Sequence, residues 1–330
     1  MDSRTGLGVL TIVLVAALAV GFAKSPMKFY GTEITKETLQ QGMQKPILWV
    51  FYNDAEVNSR NWYDFGARAS HVIHIPILNL FYKTIVKANH DFYRIETIGG
   101  LQGVAELLGG WKALPNTLQN PKAMVTEPEE DWIRTAVLAK FGGLWVSRSV
   151  ICLKGFGELP KDRIVAYGQD TVPMYGSSVP GFRCLWSPRA GEPLFVEWEH
   201  RCRDRLETQL GGRQFRGDAK SDWVDLTQTY PVEVRYREEL GRDPKTNKNL
   251  ELENLLASGT QGRLPFSVPA SAVYIPIPYG DLLDRRFYGW ILRLSEEQVL
   301  ESDLVVSHLL ASCLESQTQH LSLQNDFARA

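Results

Sequence analysis

The residues best placed to do chemistry fall between positions 131 and 150, in Asp-Trp-Ile-Arg-Thr-Ala-Val-Leu-Ala-Lys-Phe-Gly-Gly-Leu-Trp-Val-Ser-Arg-Ser-Val. Asp131 and Arg134 stand three residues apart, so on a helix they share one face, either as a simple ion pair or as two groups meeting one ligand. Ser147, Arg148 and Ser149 follow an apolar run and set two hydroxyls and one guanidinium where a strand gives way to a loop. A guanidinium stabilises negative charge that develops on a reacting group, whereas a neutral hydroxyl replaces a carboxylate poorly as a ligand for a hard divalent cation. If the segment stays extended, Arg148 points to the opposite face from the two serines. Asn53 and Asp54 end an earlier apolar run, and Asp170 lies in a loop leaving a later one.

The elements that must carry these groups are readable nearby. Thr126 and Glu129 have capping-box spacing, Pro128 suits a first turn, and Glu127, Glu129, Glu130 and Asp131 put negative charge at the positive end of a helix. Ile133, Val137 and Phe141 recur at helical spacing, and Gly142-Gly143 supplies the left-handed stop. Leu144-Trp-Val146 and Val150-Ile-Cys-Leu153 then read as buried strand.

The pattern Asp-x-x-Arg-x-x-x-Leu-x-x-x-Gly-Gly-x-Trp, met by Asp131, Arg134, Leu138, Gly142, Gly143 and Trp145, resembles the core motif of the capsular-polysaccharide-synthesis and mannosyl-transferase-like glycosyltransferases. The specific match covers about twenty residues, with a looser likeness in element order from Pro46 to about Trp198. The resemblance implies a GT-A fold: a mixed, mostly parallel α/β sheet flanked by helices. It also implies a closing Asp-x-Asp that holds Mn or Mg against the diphosphate of a nucleotide sugar. Ser147 and Ser149 stand where those two aspartates are expected, so no metal ligand is assigned, and Mn or Mg would require compensation elsewhere. Asp218, Asp222 and Asp225 are spaced to share a helical face and are the candidates for that. By the same resemblance, Asp131 positions the donor sugar, Arg148 stabilises the diphosphate if the loop bends, and Asp170 is an acceptor-side carboxylate. Asn53, Asp54, Arg60, Arg134, Ser147 and Ser149 are donor-side residues.

Length and composition agree with a large globular domain. The chain has 330 residues, 44% of them hydrophobic, and a net charge of −2, which gives no electrostatic footprint for nucleic acid. Cys152, Cys184, Cys202 and Cys313 contain no Cys-x-x-Cys pair, which speaks against a zinc ribbon or a dense disulfide framework and leaves room for one bridge. His71 and His74 lack the glutamate of a zincin and lie in β-prone surroundings. Dinucleotide, P-loop and Gly-x-Ser-x-Gly motifs are absent.

Residues 5–23, after a four-residue tail, are uncharged and apolar, and as a helix span ~28 Å, about a bilayer core. They read as a transmembrane anchor, with a cleaved signal peptide as the alternative because Ala17-Leu-Ala19 and Gly21-Phe-Ala23 resemble cleavage sites. A stem over 24–45 leads to a GT-A-like domain over 46–315 and a tail over 316–330. Within the domain, Pro46–Tyr52, Phe92–Ile98, Arg163–Tyr167 and Gly181–Trp186 read as strands, Leu101–Gly110 and Phe195–Leu210 as helices, and Val273–Pro278 as an edge segment limited by its prolines. The expectation is a single-pass protein of a secretory-pathway or cell-envelope membrane, or a secreted one if the signal is cleaved. It would transfer a hexose from a nucleotide-sugar donor to a glycan acceptor. The alternative is a non-catalytic sugar-binding or assembly protein that keeps the fold.

Overall fold

The computed structural model describes residues 45–57, 73–172, 177–209, 219–235, 250–259, 272–285 and 287–314, with backbone alone at 28–29, 32–33, 169–172, 177–178 and 209. The chain divides into two compact units, Met1–Lys45 and Pro46–Ala330. In the first, Lys28–Phe29 and Thr32–Glu33 pair antiparallel. The apolar run at 5–23 lies outside the described residues, among which no helix is long and apolar enough to cross a membrane.

The second unit contains, in order, β1 (Ile47–Tyr52), the single turn α1 (Asp54–Val57), α2 (Pro76–Asn89), β2 (Arg94–Gly99), α3 (Gly100–Leu108), α4 (Glu127–Phe141), β3 (Gly143–Val146) and β4 (Val150–Cys152). It continues with β5 (Ile164–Tyr167), β6 (Gln169–Val172), β7 (Ser177–Pro180), β8 (Cys184–Ser187), α5 (Pro193–Gln209), α6 (Ala219–Thr229) and β9 (Val232–Arg235). The short α7 (Leu252–Leu255), β10 (Tyr274–Pro276), α8 (Tyr279–Asp284), α9 (Glu296–Glu301) and α10 (Val305–Leu314) close it.

Six strands form one mixed sheet in the order β9-β5-β8-β3-β1-β2. β9 runs parallel to β5, and β3, β1 and β2 run parallel to one another; only β8 is antiparallel to its neighbours β3 and β5. The sheet is therefore mostly parallel, and helices flank it on both faces, as the GT-A resemblance implies. Alternation along β1 divides the core in two. Leu48, Val50 and Tyr52 pack with α2 and the C-terminal helices, while Trp49 and Phe51 pack with α3, α4, α5 and α6. The second core is rich in tryptophan: Trp132, Trp198 and Trp223 are fully buried, and the last two stack with ring centres 4.7 Å apart.

Several elements depart from expectation. Pro76–Asn89 is a helix although the sequence around His71 and His74 reads as β-prone; Pro76 opens it and Ile77, Leu78, Phe81 and Ile85 bury one face. The run 144–153 is not one strand: β3 belongs to the main sheet, whereas β4 pairs with β10 in a separate two-stranded sheet. Asp170 lies in strand β6 opposite Val179 of β7, not in a loop. Asp222 and Asp225 do lie on a helix, α6, as their spacing implies, while the edge strand β9 that follows it was not read from the sequence. All four cysteines are free.

The turn from α4 into β3 is tight enough to demand glycine twice. Gly142 and Gly143 have φ of 67° and 95°, a region that side-chain-bearing residues avoid. A Cβ on Gly143 would come within 2.6 Å of the Ile47 carbonyl oxygen on the adjoining strand, and one on Gly142 within 2.7 Å of the Arg189 backbone. Gly143→Ala is accordingly expected to destabilise the protein by about 2–3 kcal/mol; urea denaturation checks this, and a loss within 0.5 kcal/mol, roughly what an ordinary surface change gives, would show that the turn is not under this constraint.

Candidate functional site

The carboxyl ends of β1 and β3 lie side by side in the sheet, and the groups that follow them form one connected cluster. After β1 the chain makes the single turn α1, which folds Glu56 back so that the Asn53 N–H donates to its Oε2 at 2.8 Å. The Asn53 side-chain amide donates to the Val125 carbonyl at 3.1 Å, tying the approach to α4 onto the end of β1. Asp54 accepts from the Leu101 N–H at 3.1 Å in the first turn of α3, where a carboxylate meets the unpaired amides and the positive end of the dipole.

After β3, the chain bends at residues 147–149 instead of staying extended. The Ser147 N–H donates to the Arg183 carbonyl at 2.9 Å, and the Ser149 carbonyl accepts from the Ile277 N–H at 2.8 Å. The two serine hydroxyls are 3.1 Å apart. Between them Arg148 reaches inward: its Nε donates to Glu56 Oε1 at 3.0 Å, its Nη1 lies 2.8 Å from Glu130 Oε2, and its guanidinium carbon is 5.9 Å from the Tyr279 ring centre. Burial disfavours its charge, yet the Glu130 and Glu56 carboxylates more than compensate and hold it above its ordinary value. Burial raises the Glu56 carboxyl above its ordinary value, with Arg148 opposing. The Tyr52 hydroxyl, within electrostatic reach of both, is buried without a hydrogen-bond partner among the described residues.

Asp131 and Arg134 form the ion pair that their spacing allows, but as a buried pair. They are bonded to each other and are 5% and 6% exposed, inside the α4 interface and not on a surface. Arg134 also donates to the Phe182 carbonyl at 3.1 Å, and its guanidinium sits 5.2 Å from the Phe182 ring centre. Burial raises the Asp131 carboxyl above its usual range, with Arg134 opposing. The acid of α4 that reaches Arg148 is its neighbour, Glu130. Glu56 and Glu130 were thus not singled out by the motif, and the signal that could have found them is Arg148 itself, since a cation at a buried strand end needs carboxylates. Arg60 lies outside the described residues, and of Asp170 only the backbone position is described.

The divalent cation implied by the resemblance does not fit these residues. Ser147 and Ser149 are neutral and face each other, and both carboxylates at hand already hold Arg148. The alternative acids do not compensate: Asp222 is bonded to Arg205 and lies 3.8 Å from Arg201, Asp225 lies 3.9 Å from Arg201, and Asp218 is outside the described residues. Among the described residues, no three His, Cys, Asp or Glu are grouped to hold a metal. His74 contacts the Ala55 carbonyl at 3.4 Å, and His71 is outside the described residues. A surface groove of about 580 Å³ runs along α5 past Pro193, Glu197 and Arg201 and includes none of the cluster residues.

No family model matches the chain, and no curated protein does. Among solved structures it has a likeness to the PaToxG glycosyltransferase, at 14% identity over 57% of this chain and 70% of that one, with a TM-score of 0.33. A superposition that loose has no bearing on fold or activity.

The buried pair in α4 makes a definite stability claim. Arg134→Met leaves the Asp131 carboxylate buried without its counter-charge and is expected to cost about 3–5 kcal/mol. The double variant with Asp131→Asn should cost clearly less than the two single changes added together. A double-mutant cycle by equilibrium denaturation measures both quantities, and strict additivity would remove the coupling.

Proposed function

We propose that this protein is a GT-A-like, glycosyltransferase-type protein that holds a nucleotide sugar at the carboxyl edge of β1, β2 and β3 without a divalent cation. In this reading it works on surface or secretory-pathway glycans, tethered through residues 5–23. The observation that carries it is the course of the chain from Thr126 through α4, Gly142-Gly143 and β3, which brings Ser147-Arg148-Ser149 to the same edge as Asn53-Asp54. Carboxyl edges of mostly parallel sheets are where such folds bind ligands.

The chemistry proposed is transfer of a hexose from a nucleoside diphosphate sugar to a glycan acceptor. Charge building up on the departing diphosphate is met by Arg148, with Ser147 and Ser149 as hydrogen-bond donors. Glu130 is the carboxylate that yields, because its side chain is 26% exposed against 6% for Glu56. In this proposal Asn53 and Asp54, at the end of β1, serve the nucleotide, and the donor-side role of Arg60 and the acceptor-side role of Asp170 are carried over from the motif resemblance alone. Asp131 and Arg134 brace the helix that carries Glu130.

A second reading is favoured by one specific observation: the positive charge of Arg148 is already matched by two carboxylates. That arrangement suits a non-catalytic sugar-binding or assembly protein, in which the edge recognises a donor or glycan and supports no departure of the diphosphate.

Titration of the full-length protein with a panel of nucleoside diphosphate sugars, in Mn²⁺ and in EDTA, separates the possibilities. One donor should stabilise the fold equally in both, by about 2.7 kcal/mol at roughly 100 times its Kd. Stabilisation confined to Mn²⁺ would contradict a metal-free site, and no response to any nucleotide would remove the donor site. Stabilisation without donor turnover, assayed with and without glycan acceptors, selects the second reading.

A further inference from the structure

We infer that Arg148 is a built-in cation that neutralises Glu56 and Glu130 at the sheet edge where the motif resemblance would place a divalent ion. The inference extends the proposed metal-free site by naming what replaced the metal. It concerns the charge at this edge and can be tested without any sugar.

Three observations carry it. The guanidinium is the shared partner of carboxylates from two separate elements, α1 and α4, and the three side chains are 14%, 6% and 26% exposed. Its place is fixed by backbone and not by a wandering loop, because Ser147 and Ser149 on either side are each hydrogen-bonded to distant segments. The groups that hold the guanidinium are two carboxylates, hard oxygen donors of the type that Mg²⁺, Mn²⁺ and Ca²⁺ take. One guanidinium against two carboxylates leaves a net negative charge, which a divalent ion would balance.

The replacement has chemical consequences. A tethered guanidinium cannot exchange or leave with product, and it offers directed N–H donors in place of inner-sphere coordination. Any anion bound at this edge is then held by hydrogen bonds to Arg148, in competition with Glu130.

The test is to remove the built-in cation and supply a free one. Full-length Arg148→Ala is expected to lose roughly 5–10 °C of Tm in EDTA, the scale set by unpairing buried carboxylates. Mn²⁺, Mg²⁺ or Ca²⁺ should restore most of that loss saturably, while leaving wild type unchanged. Adding Glu130→Gln to the variant should abolish the rescue. The inference is overturned if no divalent cation rescues Arg148→Ala, or if wild type is itself stabilised by Mn²⁺ through Glu130. Should Arg148→Ala fail to fold, Arg148→Met keeps apolar contact with Tyr279. Its recovery on refolding with Mn²⁺ but not with EDTA supports the inference, and equal failure in both overturns it. No nucleotide sugar enters this assay, so failure here is distinct from failure of the donor site.

Discussion

A cation carried to the end of a buried strand must be met by negative charge from elsewhere in the chain, and much of the geometry at this edge follows from that. β3 delivers Arg148, and the two carboxylates that meet it belong to the turn after β1 and the first turn of α4. Both carry further loads. Glu56 also accepts from the Asn53 N–H, and Glu130 sits where the helix dipole already favours an acid. The ends of β1, α4 and β3 are therefore fixed relative to one another by charge as well as by sheet hydrogen bonds. Breaking a buried pair of this kind typically costs about 3–5 kcal/mol against a total stability of about 5–15 kcal/mol, so the cluster is a large fraction of what keeps the edge in register.

The local half of this arrangement was legible in the sequence. The start of α4 follows its capping signals, with the Thr126 N–H donating to Glu129 Oε2 at 2.8 Å, and its end follows from two glycines with positive φ. β1, β5 and α5 have the apolar patterns of a buried strand or a one-sided helix and were readable from them. α2 was obscured because Ile, Leu, Phe and Tyr around Pro76 satisfy a strand propensity as well as a helical face, and packing decides between them. β9 was obscured for the opposite reason: Val-Glu-Val-Arg is a polar edge strand, half-buried along its length, and its pairing with β5 comes from far along the chain.

The tertiary half could not be read. Asp131 and Arg134 look like an exposed helical pair, and only the covering of α4 by α5 and Phe182 turns them into a buried brace. The bend at 147–149 depends on a carbonyl at 183 and an amide at 277, neither of which leaves a mark near the motif. Once the bend is made, the alternation expected of an extended segment no longer governs where Arg148 points. Motif spacing thus located the edge, while the identity of its carboxylates was set by which neighbouring turns the chain brings back.

The small β4–β10 ladder has a consequence for how the molecule is made. β4 follows directly on the candidate site, but its partner β10 comes far later in the chain, and Ile277 just beyond β10 holds the Ser149 carbonyl. Closing such a distant contact carries a loop-entropy cost that only the completed pairing repays. During synthesis, the strands and helices of the first half can collapse around their own tryptophans before β10 has left the ribosome. The bend that orients Arg148 cannot. The bend at 147–149 is consequently a late feature of folding, completed when the C-terminal segment docks, and a chain stopped short of that segment would keep most of the sheet while leaving this edge unfinished.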